Sequence, residues 1–397
     1  DYIAFYTDYD PSHYQGTEKM RISSSGSIYN ASSGQNTFYG QDAGNPANVT
    51  GTGNTSIGYA CGQSILGGSD NTFVGRNAGE LVTTGDYNTA IGYGSYSGYV
   101  GYANTGNDNT ALGYYAMGSN NVSGSDNTAV GLRALYTLNA GANNVAVGVD
   151  ALKVNQAGSS CVAIGTNALK SDASVEESVA VGDSALQSQT SGRNHAFGFR
   201  ALQDLVDGTY NTAVGGECLE NLISGTNNVG VGFTALRSLT TGGNNTAVGY
   251  QAMYNLATLS NITAVGYQAL YSTTADGNTA FGYHAGLSTT TGGSNTFIGQ
   301  QCHGLNQIGY GITSVGMQAG YNGTGGIHNT YMGYAAGYGQ TGTGGNYNTA
   351  IGFYASKTIG AGNTYNTSLG YYAGGGSGAG VFSGNLNTCI GAYAGSS

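Results

Sequence analysis

Charge is what this 397-residue chain has least of: 8% of its residues are Asp, Glu, Lys or Arg, against roughly 25% in an ordinary globular protein. Its ten Lys and Arg are thinly spread and outnumbered by twenty Asp and Glu. No basic stripe can neutralise a phosphate backbone, so nucleic-acid binding is not expected. Proline is nearly absent, at two residues; since glycine does not recur at every third position, collagen is excluded. The five cysteines contain no CxxC pair and make neither a disulfide framework nor a zinc site. No run of 18 apolar residues occurs, so membrane insertion is not expected. The start at Asp1 carries no basic and apolar leader, and the chain reads as a soluble fragment or processed product.

Glycine, by contrast, is the commonest residue at 72, beside 32 tyrosines and an apolar content of 39%. That apolar content argues against a disordered linker. The decisive feature is self-similarity. About 21 copies of a word near Asn-Thr-Ala-Val-Gly-Tyr-Gln-Ala-Leu end their first half on an anchor glycine: Gly40, Gly58, Gly75 and Gly92 first, then Gly113 through Gly370 to Gly391. Anchors fall mostly 17 residues apart, with longer steps where loops are inserted, as at Gly98 to Gly106 and Gly374 to Gly384.

Reading down the columns, Thr or Val stands three before the anchor, a small residue two before it and an aliphatic one before it. This alternation predicts a short strand with Thr and Val on one face and Ala and Gly on the other. The preceding Asn (Asn54, Asn71, Asn88, Asn127, Asn211, Asn245, Asn278, Asn295, Asn329) is expected in a turn, stacked coil on coil as a structural amide ladder. Three past the anchor stands Ala or Cys. Next comes Leu in the middle of the chain and Gly nearer its ends, predicting a second, shorter strand; a single helical turn is the alternative there.

The expected fold is therefore all-β, a parallel β-solenoid or β-roll of about 21 coils, with residues 1–30 as a β connector and 31–397 as the repeat shaft. Stacking at about 4.8 Å per coil predicts a rod of roughly 100 Å, stable only through its neighbours. Rows of Ala and Gly on one strand face would let another backbone approach, which points to a parallel homotrimer, intertwined or side by side.

Candidate chemistry is sparse. His13, His195, His284, His303 and His328 lie in different coils and columns, with His195 expected in a buried polar contact; no metal site follows. Asp42, Asp150, Asp183 and Glu217 fall on what reads as a solvated face, without the converging carboxylates of a hydrolase. No Gly-Lys-Ser/Thr follows the glycine words, so a phosphate loop is not expected. Neither catalytic residues nor a cofactor is expected, and the chain does not read as an enzyme. Cys61, Cys218 and Cys302 occupy the Ala column, Cys389 the small-residue column and Cys161 an Asn position, which predicts buried free thiols. Tyrosine follows the anchor at Tyr59, Tyr93, Tyr114, Tyr250, Tyr267, Tyr283, Tyr334 and Tyr371. This column is either an aromatic ladder between coils or a sugar- or surface-binding face.

The words at 143–148, 162–165 and 177–182 (Asn-Asn-Val-Ala-Val-Gly, Val-Ala-Ile-Gly, Glu-Ser-Val-Ala-Val-Gly) resemble the head repeat of trimeric autotransporter adhesins. The resemblance covers residues 36 to 395 and implies a left-handed β-roll trimer, although that family typically uses 14 residues per coil. The N-terminal stretch from Ala4-Phe5-Tyr6-Thr7-Asp8 to Gly16-Thr17-Glu18-Lys19-Met20-Arg21-Ile22-Ser23-Ser24-Ser25-Gly26 resembles a segment that recurs in tail fibres of tailed phages. Together they imply an extracellular structural or adhesive protein on a virion or a cell surface. Its implied partners are further copies of itself, other virion or fibre proteins, and a host receptor such as a cell-surface glycan. The alternatives are a bacterial trimeric adhesin head and the subunit of a self-assembling extracellular filament. Ice binding by the Thr column is a weaker expectation, since that column reads as buried.

Overall fold

The computed structural model describes residues 2–10, 15–23, 28–30, 35–44, 49–98, 103–118, 121–171, 174, 176–305, 308–323, 325–339, 345–358, 360–375 and 384–395. His13 and most of the insert between Gly374 and Gly384 lie outside them. The described residues form a parallel β-solenoid of about 19 turns with a period near 17 residues and no helix. They fall into two compact units, 1–191 and 192–397.

The first unit opens with an antiparallel sheet of β1 (Tyr2–Asp10), β2 (Gln15–Ser23) and β3 (Ile28–Asn30) in spatial order. Its solenoid strands run from Thr37–Tyr39 to Val179–Val181. Those of the second unit run from His195–Phe197 to Thr388–Ile390. Every repeat strand is three residues long and, within each unit, pairs in register with its neighbouring copies: Thr128, Ala129 and Val130 lie beside Val145, Ala146 and Val147. Like side chains therefore form continuous rows.

The rows sort inside from outside in the reverse of the expected sense. The central Ala is buried while its Thr or Val neighbours face outward, as in Thr89-Ala90-Ile91 and Thr246-Ala247-Val248. The Ala row is the interior of the chain's own solenoid, so it offers no backbone approach to another chain. Facing it across a narrow core are the Ala column past the anchor and Leu135, Leu152, Leu169, Leu186, Leu202, Leu219, Leu236 and Leu270, all inaccessible to solvent.

Neither the second strand nor the helical turn forms past the anchor. Two positions there are left-handed, two and four residues beyond it, as in Asp150 (φ 56°) and Leu152 (φ 48°). Alternating hand breaks both a strand and a helix. It also turns the Ala and Leu side chains into the core while backbone N–H groups bond adjacent coils, Asp150 to the Leu132 carbonyl and Leu152 to that of Ala168. A true second parallel pairing, Ser224–Thr226 with Thr241–Gly243, lies before the Asn corner instead.

The Leu-to-Gly change in that column reflects volume. Where the inward strand residue is Phe38, Phe73 or Tyr331, the position four past the anchor is glycine; opposite Phe297 it is His303. A Cβ on Gly44 would lie 2.6 Å from the Phe38 ring, on Gly79 2.6 Å from Phe73, and on Gly337 2.5 Å from Tyr331. Where the strand residue is Ala, a larger residue commonly fills the space, as Leu at 135, 152, 169, 186, 202, 219 and 270, Met117 and Met253, and Tyr96. A core at crystal-like density keeps total volume and trades it between facing columns.

Candidate functional site

Three sets of side chains are available for recognition: the Asn corner, the outer strand face and the aromatic column after the anchor. The Asn side chains are internal. Asn54, Asn71, Asn88, Asn127, Asn211, Asn245 and Asn278 have no solvent exposure, and Asn295 and Asn329 have 1% and none. In each link, Oδ1 accepts the backbone N–H of the next corner residue and Nδ2 donates to a carbonyl near the following corner. For Asn211, Nδ2 donates to Gly225 O at 2.8 Å and to Asn194 Oδ1 at 3.0 Å, while Oδ1 accepts from Asn228 N at 3.0 Å. The same column adds Asn36, Asn109, Asn144, Asn194, Asn228, Asn348, Asn366 and Asn387. Cys161, Ile262 and Ile312 interrupt it, their backbone N–H still bonded to the preceding Asn. The ladder satisfies buried backbone groups at a corner where no sheet can, and it has no group left to offer a ligand.

The outer strand face carries two rows: Thr or Val, and an aliphatic or Phe residue. The second row is substantially exposed, with Ile91 at 39%, Leu112 at 44% and Ile298 at 40%. Apart from Tyr39 and His195 no titratable side chain occurs in either row. His195 is exposed here, and not in the buried contact expected for it, because the Thr column points outward.

In the column after the anchor the rings stack along the coils. Tyr93 and Tyr114 are 5.3 Å apart at 12°, Tyr250 and Tyr267 5.2 Å at 11°, and Tyr267 and Tyr283 5.4 Å at 16°. Phe353 bridges Tyr334 and Tyr371 at 5.1 and 5.2 Å, and Phe233 extends the run at Tyr250. Tyr59 is capped by the Arg76 guanidinium at 5.3 Å. Stacking covers ring faces and leaves edges and hydroxyls to solvent, so the column forms three aromatic ridges, at 93–114, 233–283 and 334–371.

Two clusters of ion pairs occur among the described residues. Asp150, 6% exposed, is not on a solvated face: Arg133 lies 2.8 Å away and Lys153 and Lys170 3.8 Å. Glu220 accepts from Arg237 at 2.7 Å, and Arg237 also meets Tyr254 and Glu217. Such pairs knit adjacent coils.

No protein family, curated protein or solved structure matches this chain. Its chemistry therefore rests on its own geometry. Among the described residues no group of three His, Cys, Asp or Glu could hold a metal ion, and no helix is long and apolar enough to cross a membrane. His284 stacks on Tyr283 at 3.8 Å. His303, by contrast, is wholly buried between Phe297 and Tyr331; its position in the Leu column was the signal that set it apart from the outer histidines.

Cys61, Cys161, Cys218 and Cys302 are buried and Cys389 is half-buried, none of them in a disulfide. Burial pushes the Cys61 thiol up to about 11 and those of Cys218 and Cys302 to about 12. Since the thiolate is the nucleophile, a thiol reagent at neutral pH is expected to label the native chain at Cys389 alone and all five positions after denaturation. Mass mapping of the labelled peptides checks this, and rapid native labelling of Cys218 would contradict the buried column.

Proposed function

We propose that this chain is the shaft of a structural and adhesive fibre, a viral tail fibre by its N-terminal resemblance, in which three parallel copies associate through their outer strand faces. The observation that carries the reading is the uncharged apolar row on that face, aliphatic or Met in every coil except at Tyr39, Phe197 and Phe281. Contiguous exposed apolar surface of this kind marks interaction sites, and rows in register along the solenoid present the same repeating surface on every copy. With the Ala row interior, the surface left for association of copies is the Val and Ile row outside. A bacterial surface adhesin head would use the same face, and an open-ended filament would use it without closure.

The expected result is a mass in solution near three times the 40.1 kDa chain. The double variant Ile91→Asp, Ile298→Asp places carboxylates on exposed positions and is expected to yield monomers with an unchanged circular dichroism spectrum, because outward side chains contribute little to each chain's own core. Sedimentation of both proteins checks it. A monomeric parent chain sinks the trimer, and an unlimited size distribution favours the filament.

A second reading rests on the in-register Thr row beside it, Thr246 on Thr263 and Thr263 on Thr279, which is outward. Flat hydroxyl and methyl rows repeating at about 4.8 Å suit an ordered water lattice. The same face cannot serve both roles, so ice-recrystallisation inhibition by a monomeric chain would decide for ice.

A further inference from the structure

Beside the Tyr93–Tyr114 stack of the first unit, the next column of the chain holds a gap. Of the residues two past the anchor, Gly94 is the sole glycine, and around it opens a cleft of about 340 Å³ lined by Asn77, Glu80, Tyr93, Ser97, Tyr115 and Tyr136 together with Gly94, Gly98 and Gly118. Four successive coils contribute. A Cβ on Gly94 would lie 2.7 Å from the Tyr115 ring, so only glycine lets that ring lean across the gap. Tyr115 stands at 77° to Tyr93 and 89° to Tyr136, out of the stack that runs through Tyr93 and Tyr114. Gly118 continues the clearance, since a Cβ there would meet the Gly94 carbonyl at 2.7 Å.

The cleft's polar groups are few and placed. Asn77 Nδ2 donates to Glu80 Oε2, which orients the carboxylate and leaves Oε1 to accept. Ser97 Oγ donates to Gly118 O at 3.0 Å, keeping lone pairs for an incoming donor. The Tyr93 and Tyr115 rings meet edge-on, 5.4 Å between centroids. No basic residue lines the space; Arg76 lies on Tyr93 at 5.7 Å but is not part of the wall.

From this geometry we infer that the cleft at Gly94 is a binding site for a single neutral pyranose ring, free or at the end of a glycan. Its volume is at the small end of ligand sites, about 300–1,000 Å³. Tyrosine walls give a sugar's C–H face an apolar surface with polar tips. A held carboxylate accepts from vicinal hydroxyls with the strength of a charge-assisted bond, while the absence of any cation disfavours a phosphate, sulfate or uronate. The inference supplies the adhesive half of the proposed function with a place and a ligand class. It does not need association of copies, so its failure would leave the trimeric shaft untouched.

The test is titration calorimetry with saturation-transfer NMR on the full chain, using methyl glycosides of galactose, glucose and N-acetylglucosamine, with glucuronic acid and choline alongside. At least one neutral glycoside is expected to bind and glucuronic acid to bind much more weakly. Glu80→Gln preserves shape and the Asn77 contact. It is expected to weaken the neutral sugar about tenfold or more and to narrow its preference over glucuronic acid, which a merely structural role would not do. Tyr136→Ala, in a half-buried wall, is expected to weaken binding independently. Absence of binding by every glycoside, binding of choline in their place, or affinities unchanged in both variants would each overturn the assignment.

Discussion

Gly148→Ala is expected to destabilise the first unit by several kcal/mol and to open the coils on either side, while Gly67→Ala in the same unit is expected to be neutral or slightly stabilising. The anchor glycines share a φ between 117° and 141°, a backbone region that side chains rarely enter and that costs about 1–3 kcal/mol to impose on alanine. Space is as restrictive as angle. A Cβ on Gly148 would lie 2.5 Å from the Gly165 carbonyl oxygen, and Gly165 cannot retreat because its own N–H is held on the Val147 carbonyl at 2.8 Å. Overpacking of this kind adds about 1–3 kcal/mol. Gly67 meets nothing nearer than 3.7 Å and has no left-handed angle, so alanine there only reduces the freedom of the unfolded chain, worth about 0.4–1 kcal/mol. Because each coil is stable only on its neighbours, the defect should appear as raised amide exchange across adjacent coils. Equal denaturation midpoints for the two variants would contradict the role given to the anchor.

Acid is expected to weaken the second unit through His303. Its ring is wholly buried, stacked 4.7 Å from Phe297 and 5.8 Å from Tyr331, and neither ring nitrogen meets a partner in hydrogen-bond geometry. Burial lowers its pKa from 6.5 to about 3, opposed weakly by the Ala319 backbone. A histidine so lowered stays neutral in the folded chain while the unfolded chain takes up a proton. The contribution is therefore intact above pH 6.5 and lost progressively between 6.5 and about 3, where it reaches roughly 4–5 kcal/mol. His303→Leu restores the residue usual in that column. It is expected to remove this part of the pH dependence and, by relieving a buried unpaired donor, to add about 1–3 kcal/mol at neutral pH. Thermal melts of both proteins at pH 7.5 and 4.5 check the sign, and an equal loss in the two would show that acid acts elsewhere.

These positions also show why some of the molecule was legible in the sequence and some was not. A period of 17 is carried by the anchor glycines, and their spacing needs no structure because nothing but glycine satisfies both the angle at Gly148 and the carbonyl beside it. The in-register strands follow from the same columns. The direction of those strands does not: alternation in Thr-Ala-Val states that there are two faces and is silent on which is inside. The expectation that Val would be buried and Ala exposed to a partner chain was reasonable from hydrophobicity, and it failed because the coil is too thin to hold larger strand residues opposite Leu.

Burial of His303 could have been read from its column, since every Leu at that place is inside. The cleft at Gly94 could not. It depends on the direction taken by the Tyr115 ring when one coil lacks a side chain, a choice made by neighbours 17 to 21 residues away in sequence and one coil away in space.

By itself, then, the sequence determined the repeat, its period, the absence of a helix-sized segment and the glycine and asparagine corners, because these are constraints of local backbone angle repeated along the chain. Tertiary structure alone decided the inner and outer faces, the ion pairs around Asp150 and Glu220, the stacking of the tyrosines and the gap among them. Each of those depends on volume and contact between coils, which no single repeat contains.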